Sequence, residues 1–265
     1  MLQFFWSVND QIYIQRRSAD MKKSLKVFLF IMVVILVIAQ PTTFAKAYTT
    51  KVPEQNIVDD MESLKEYLED YTLSTANENG VENATEEGIE KDVKKIEEQV
   101  ENLSKENQEK FFYYLSNPEA MQAALEDENN KDIVLEEVTT DTPVFTRNLL
   151  QAAVTKTRNA SYTYSMKFFK IEMTRYVVAV KYTTSGGTVK KIVSSSGYVD
   201  KNLNPAVKTS RIEKSAWIAN NRAKTTSRFH YSLFSKSQVI QLGTVTLHVE
   251  GTSGGARYNA YAKLS

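Results

Sequence analysis

Cysteine is absent from all 265 residues, so the chain forms no disulfide and offers no thiolate to a metal. Histidine is nearly absent, with only His230 and His248. Strand alternation puts both on outward phases, and a third ligand for a metal has no evident source. The chain has no phosphate loop, dinucleotide fingerprint or zinc-protease motif. It also lacks the Gly-x-Ser-x-Gly elbow that exposes a nucleophilic serine. From Thr142 to the end there are four carboxylates, Glu172, Asp200, Glu213 and Glu250, a thin supply for the acid pair that glycoside hydrolysis requires. The densest acidic run, residues 126–132, lacks the alternating ligands and mid-loop glycine of a calcium loop. These scarcities disfavour an enzyme and imply neither cofactor nor metal.

Charge is plentiful and unevenly placed. The formal total is +1, yet Tyr48 to Asp141 carries 26 acids against 8 bases, and Thr142 to Ser265 carries 19 bases against 4 acids. Balances of −18 and +15 predict two units that differ in solvation, attract different partners or attract each other.

The N-terminal 47 residues carry an export pattern. Lys22 and Lys23 precede the uncharged apolar residues 27–39, and Ala45 and Ala47 supply small side chains for cleavage before Tyr48. The apolar run is 13 residues, whereas a spanning helix needs about 20. Residues 1–20, with Asp10 and Asp20, fit a signal poorly, so Met21 is the expected start. The rival is an uncleaved membrane anchor through residues 27–44. A lysine-rich, cysteine-free chain with such a signal resembles, in style alone, the exported proteins of Gram-positive bacteria.

Residues 48–132 read as helical. Ile57, Met61, Leu64, Leu68 and Tyr71 step by 4, 3, 4 and 3, and Ile89, Val93, Ile96, Val100 and Leu103 repeat that rhythm. Pro53 suits a first helical turn. Residues 72–88 read as a polar loop. Ser104 begins a helix carrying Phe111, Phe112, Tyr114 and Leu115. Asn117-Pro118-Glu119 begins another, because asparagine caps, proline fits the first turn and an acid suits the positive helix end. Each stripe lasts about two heptads, which fits a small bundle better than a coiled coil.

Residues 133–160 read as a linker, with a short helix over 148–154 and Arg147 and Arg158 open to proteases. From residue 161 the period becomes two. Tyr162, Tyr164, Met166 and Phe168 alternate with polar neighbours, and the phase slips at Phe168-Phe169, which predicts a turn or bulge. Ser185-Gly186-Gly187 predicts a hairpin, Asn202-Leu203-Asn204-Pro205 a turn, and residues 251–255 another. Seven or eight strands over 161–265 make a basic, all-β antiparallel sandwich of immunoglobulin-like size, or a small barrel. The fold class is therefore α+β with segregated parts: an apolar signal helix, an acidic helical region and a β domain.

The candidate anion-binding residues are Lys190, Lys191, Lys208, Arg211, Lys214, Arg222, Lys224 and Arg228, with Trp217 among them. Such an excess of bases attracts polyanions. The expected function is that of a secreted or cell-surface, non-catalytic protein. Its β domain binds an anionic cell-wall polymer such as teichoic acid, or an anionic membrane surface, with the acidic region as spacer or shield. Two alternatives stand beside it: a precursor whose cationic antibacterial β domain is freed by a cut near 140–160, and a hydrolase whose site the sequence does not display. Nucleic acid is disfavoured, because aromatics interleaved with bases here also alternate as a strand core requires.

Overall fold

The helices start where capping side chains stand. In the computed structural model, which describes residues 58–127, 129–138, 154–235 and 238–265, α1 (Met61–Glu69) begins behind Asp60. The Asp60 carboxylate accepts from the Ser63 N–H at 2.8 Å, and the Ser63 hydroxyl accepts from the Asp60 N–H at 3.1 Å. Leu64 and Leu68 face inward as the stripe predicts. Pro53, Ile57, Arg147, Met21, Ala45, Ala47 and the apolar run 27–44 lie outside the described residues.

The stretch 72–88, expected as loop, is built differently. Thr72 caps a short helix, α2 (Leu73–Glu78), which buries Ala76. The chain then turns at Gly80 (φ 85°), and Val81 forms a parallel bridge to Val199. A Cβ on Gly80 would lie 2.0 Å from the Thr209 carbonyl oxygen, so this close approach requires glycine. Helix α3 (Glu86–Glu101) starts at Thr85 and buries Ile96 and Val100 from the second stripe. Ser104 caps α4 (Lys105–Ser116), and Asn117 caps α5 (Pro118–Glu126), both at the predicted positions.

Two four-stranded antiparallel sheets follow, each with its strands in sequence order. The first contains β1 (Ile133–Glu137), β2 (Lys156–Phe168), β3 (Ile171–Ser185) and β4 (Thr188–Asn202). The second contains β5 (Val207–Ala219), β6 (Arg222–Ser235), β7 (Gln238–Thr252) and β8 (Arg257–Leu264). The proposed linker 133–160 thus opens with one strand and closes inside another, since Ile133 to Glu137 pair with Phe168 to Tyr164. The phase slip at Phe168-Phe169 is a tight hairpin, with Phe169 and Lys170 both at positive φ. Gly186-Gly187 makes the predicted second hairpin. Asn220 and Asn221, at φ 54° and 56°, make a third that the sequence reading missed.

Residues 203–206 carry the chain from the first sheet to the second, and the buried faces of the sheets meet. Tyr176 packs on Phe229 with ring centroids 5.3 Å apart, and the Tyr182 hydroxyl donates to the Thr252 carbonyl at 2.7 Å. Gly197 sits where a Cβ would come within 1.8 Å of Ser227 Oγ.

The helical region packs on the sheets instead of standing away from them as an arm. Residues 52–265 form one compact unit, and one cluster of buried apolar side chains runs from Leu64, Phe111 and Met121 to Phe168, Val207 and Leu233. Phe111 meets Phe168 edge-on at 5.9 Å. The Tyr71 hydroxyl donates to Asn202 O at 2.7 Å. The Asn79 carbonyl accepts from Asn202 Nδ2 at 3.0 Å and from Thr209 Oγ1 at 2.8 Å. The physical reason is burial: Phe168, Ile171, Leu203 and Val207 cluster at one end of the paired sheets and would face water without the helices.

Candidate functional site

The structure divides the eight predicted bases into two groups. In the first, each base is paired with a neighbouring carboxylate, and three carboxylates offset most of the charge of four bases. Glu250 accepts from Lys224 at 2.8 Å and from Arg222 at 3.5 Å. Arg228 pairs with Glu213 at 3.2 Å, and Arg211 with Glu82 at 3.1 Å. The second group includes Lys190 and Lys191, both exposed on β4, and Lys214, exposed on β5, whose Nζ donates to the Ser195 carbonyl at 3.1 Å. Lys208 is half-buried near the start of β5 and has interactions of its own.

The second group lies along two strand edges that run side by side. Strand β4 ends the first sheet and β5 begins the second. Arg211 of β5 donates to the Gly197 carbonyl of β4 at 2.5 Å. At the far end Asn221 Oδ1 accepts from the Val189 N–H at 2.8 Å, tying the Asn220-Asn221 turn to the beginning of β4. Four large apolar side chains lie exposed on these strands: Val193, Ile212, Trp217 and Ile218, each 40–51% accessible. The sequence reading placed Trp217 among the bases but did not identify this apolar group. Its signal was the run Ala216-Trp217-Ile218-Ala219, four apolar residues where an alternating strand should show two.

The outer face of the second sheet holds a polar cluster under an aromatic cover. His248 was expected outward and exposed, yet it is 5% accessible, and Glu250 is 6%. Trp217 and Tyr261 cover the imidazole from β5 and β8, with centroids 5.8 and 5.0 Å away. His248 Nε2 lies 3.2 Å from Glu250 Oε1, and Nδ1 lies 2.8 Å from Thr226 Oγ1. With the carboxylate ionised, Nε2 donates to it, and in the neutral imidazole Nδ1 then accepts from the threonine hydroxyl. Burial raises the Glu250 pKa, but hydrogen bonds from Lys224 and His248 outweigh it and hold the carboxyl below its ordinary value. The chain hydroxyl–imidazole–carboxylate has the order of a nucleophile–base–acid relay. Thr226, however, lies in mid-strand, paired with Ser215 on one side and His248 on the other, and not at a turn that would present it to a substrate.

A third feature is a cleft of about 360 Å³ between α3 and the first sheet. Lys201 lies against it, 4% accessible, with Nζ 3.2 Å from Asp92 Oδ1. Burial lowers the Lys201 pKa from the ordinary lysine value, and Asp92 opposes that shift without cancelling it. Arg175 donates to Asp200 at 2.8 Å and to Glu172, whose other oxygen accepts from Ser165 Oγ at 2.6 Å. Burial raises the Glu172 pKa, and the hydrogen bonds from Arg175 and Ser165 bring it below the ordinary value. The register shift between Arg175 and Tyr176 brings Lys201 beside Arg175. Sequence reasoning missed this group. Its signal was a lysine in alternating phase with Gly197 and Val199, both inward.

No group of three or more metal-ligating side chains occurs among the described residues, and no helix among them is long and apolar enough to cross a membrane. Comparison with protein-family models, curated proteins and solved structures returns no match.

Proposed function

We propose that this is an exported, non-catalytic protein that docks on an anionic lipid surface through the joined edges of β4 and β5. One observation carries the reading: Val193, Ile212, Trp217 and Ile218 are exposed on the same two strands that carry Lys190, Lys191 and Lys214. Apolar side chains held open beside bases suit an interface with an acyl boundary below and phosphate headgroups around it. Tryptophan in particular has an apolar body and one polar N–H, which fits that boundary. Each lysine near an anionic surface contributes roughly 1 kcal/mol, so the three together contribute about 3 kcal/mol. The apolar run over 27–39 is the export signal in this reading, with removal after Ala47.

A wall polymer such as teichoic acid would use the same lysines but gain little from Ile218 or Val193. Release of a free cationic domain by a cut near 140–160 has less support. Strand β1 precedes that stretch and is hydrogen-bonded to β2, which extends beyond it, so a cut chain stays joined.

The test is sedimentation of residues 48–265 with vesicles containing phosphatidylglycerol, against neutral vesicles and soluble teichoic acid. Binding to the anionic vesicles at low salt is expected. The triple variant Lys190→Glu, Lys191→Glu, Lys214→Glu should weaken it about a hundredfold or more. Trp217→Ala should weaken vesicle binding and leave any teichoic acid binding unchanged. Equal binding to neutral and anionic vesicles, or none to either, refutes the proposal.

A further inference from the structure

The cleft between α3 and the first sheet has properties that the docking reading leaves unused. Its lining includes Lys91, Lys95, Arg175 and Lys201 against Asp92 and Asp200, an excess of two positive charges. Glu172, which pairs with Arg175, reduces the excess to one. A concentration of bases is unexpected here, because α3 belongs to the most acidic part of the chain. Its other long charged side chains, apart from Lys94 paired with Glu90, are mostly acids facing water.

The bases differ in what they have left to give. Arg175 gives its two terminal nitrogens to Glu172 and Asp200, and only its buried Nε is without a hydrogen-bond partner. Lys201 has Asp92 as its one direct carboxylate partner, with the charges of Glu172 and Arg175 acting from farther off, and an ammonium has three N–H donors. Lys91 and Lys95 are exposed and form no ion pair among the described residues. Lys201 also sits on the sheet side of the cleft and Lys91 and Lys95 on the helix side, so the cleft carries bases on two walls. The first turn of α3, at Thr85 and Gly88, adds a wall near the positive end of the helix. Keeping an ammonium 4% accessible with one carboxylate partner has a desolvation cost, and a second anion beside it would offset that cost.

We infer that this cleft binds the phosphate group of a small molecule, held between Lys201 on the sheet and Lys91 and Lys95 on the helix. A tetrahedral group with several acceptor oxygens takes donors arriving from different directions better than a planar carboxylate does. The volume of about 360 Å³ accommodates a phosphate together with a short organic body. This site is separate from the β4–β5 edge and does not depend on the docking reading.

The experiment titrates inorganic phosphate into residues 48–265 at neutral pH and follows thermal unfolding and amide resonances, with chloride at matched ionic strength as control. Saturable stabilisation by phosphate, with resonance shifts at residues 85–95 and 200–202, is expected. The double variant Lys91→Gln, Lys95→Gln should fold normally, both side chains being exposed, and bind phosphate about tenfold more weakly or worse. Lys190→Glu, Lys191→Glu should leave the response intact, which separates this site from the membrane edge. The inference is overturned if chloride produces the same rise, if phosphate produces none, or if the double variant responds like the parent.

Discussion

The helices of residues 61–126 and the sheets that follow differ in charge sign and in period, but they are joined by what both regions bury. Among the described residues two ion pairs link the helical region to the sheets, Asp92–Lys201 and Glu82–Arg211, while Glu136–Lys167 and Glu137–Arg257 join acidic strand β1 to basic strands. Only the first has a partner that is almost wholly buried, and exposed pairs contribute about 0–1 kcal/mol each. Phe111, Leu115 and Met121 on the helices, with Phe168 and Val207 on the sheets and Leu203 in the connection between them, are at most 4% accessible. A single fully buried aromatic outweighs the partly exposed Glu82–Arg211 pair. Opposite charge sums therefore make the two regions compatible, while apolar burial makes them one unit. The remaining acids and bases keep the outer surfaces solvated and are available to outside partners.

The largest expected effect breaks the junction itself. Phe111→Ala removes a ring with no accessible surface that packs on both Phe112 and Phe168, and it should cost about 3–5 kcal/mol in chemical denaturation. If the helices were an independent arm, the sheets would keep their full stability, so tryptophan fluorescence from Trp217 would report no change.

The Asp92–Lys201 pair sharpens the comparison at its one buried charge. Asp92→Asn leaves the Lys201 ammonium without its carboxylate and should cost about 3 kcal/mol at neutral pH, whereas Lys201→Met should stay within about 1 kcal/mol of the parent. The sign with pH follows from the lowered Lys201 pKa. Between that folded value and the ordinary 10.5, the unfolded chain binds the extra proton, so stability due to this group rises with pH through that window. Loss of stability in the Asp92→Asn variant should accordingly lessen in alkali. Equal costs for the two substitutions would contradict this assignment.

Gly80→Ala tests the turn by which the helices reach the sheets. The new Cβ meets the Thr209 backbone at a residue with φ 85°, and urea titration should show a loss of about 1–3 kcal/mol. Acid is expected to act more gently. Glu172 and Glu250 have folded pKa values below the ordinary 4.5, so their stabilisation is complete above that value and declines as pH falls through the lower folded values. Glu172→Gln should flatten the acid limb of a stability–pH profile. The smallest effect belongs to the exposed Arg228–Glu213 pair, where Arg228→Ala should change unfolding by less than about 0.5 kcal/mol.

Periodicity and capping made much of this fold legible in advance. The two stripes, the caps at Ser104 and Asn117, the slip at Phe168-Phe169 and the Gly186-Gly187 hairpin all depend on neighbours in sequence, so a linear reading could find them. The misses have a common cause in long-range contacts. Helix α2 is too short to show a stripe and is held by burial of Ala76 and by the Gly80 and Val81 contacts with distant strands. Strand β1 looked like linker because its partner lies across residues 139–153. Among the candidate site residues, alternation alone could not tell that Arg222 and Lys224 share Glu250 as partner, or that Trp217 and Tyr261 cover His248, since both depend on which strands become neighbours.

The salt dependence of unfolding of residues 48–265 tests the junction most directly. Followed by circular dichroism at helical and strand wavelengths, unfolding should be one coincident transition whose midpoint moves little between about 10 mM and 1 M sodium chloride, where the Debye length falls from about 30 to 3 Å. Two separate transitions, or helices that detach as salt rises while the sheets remain folded, would show that charge and not the shared core holds the parts together.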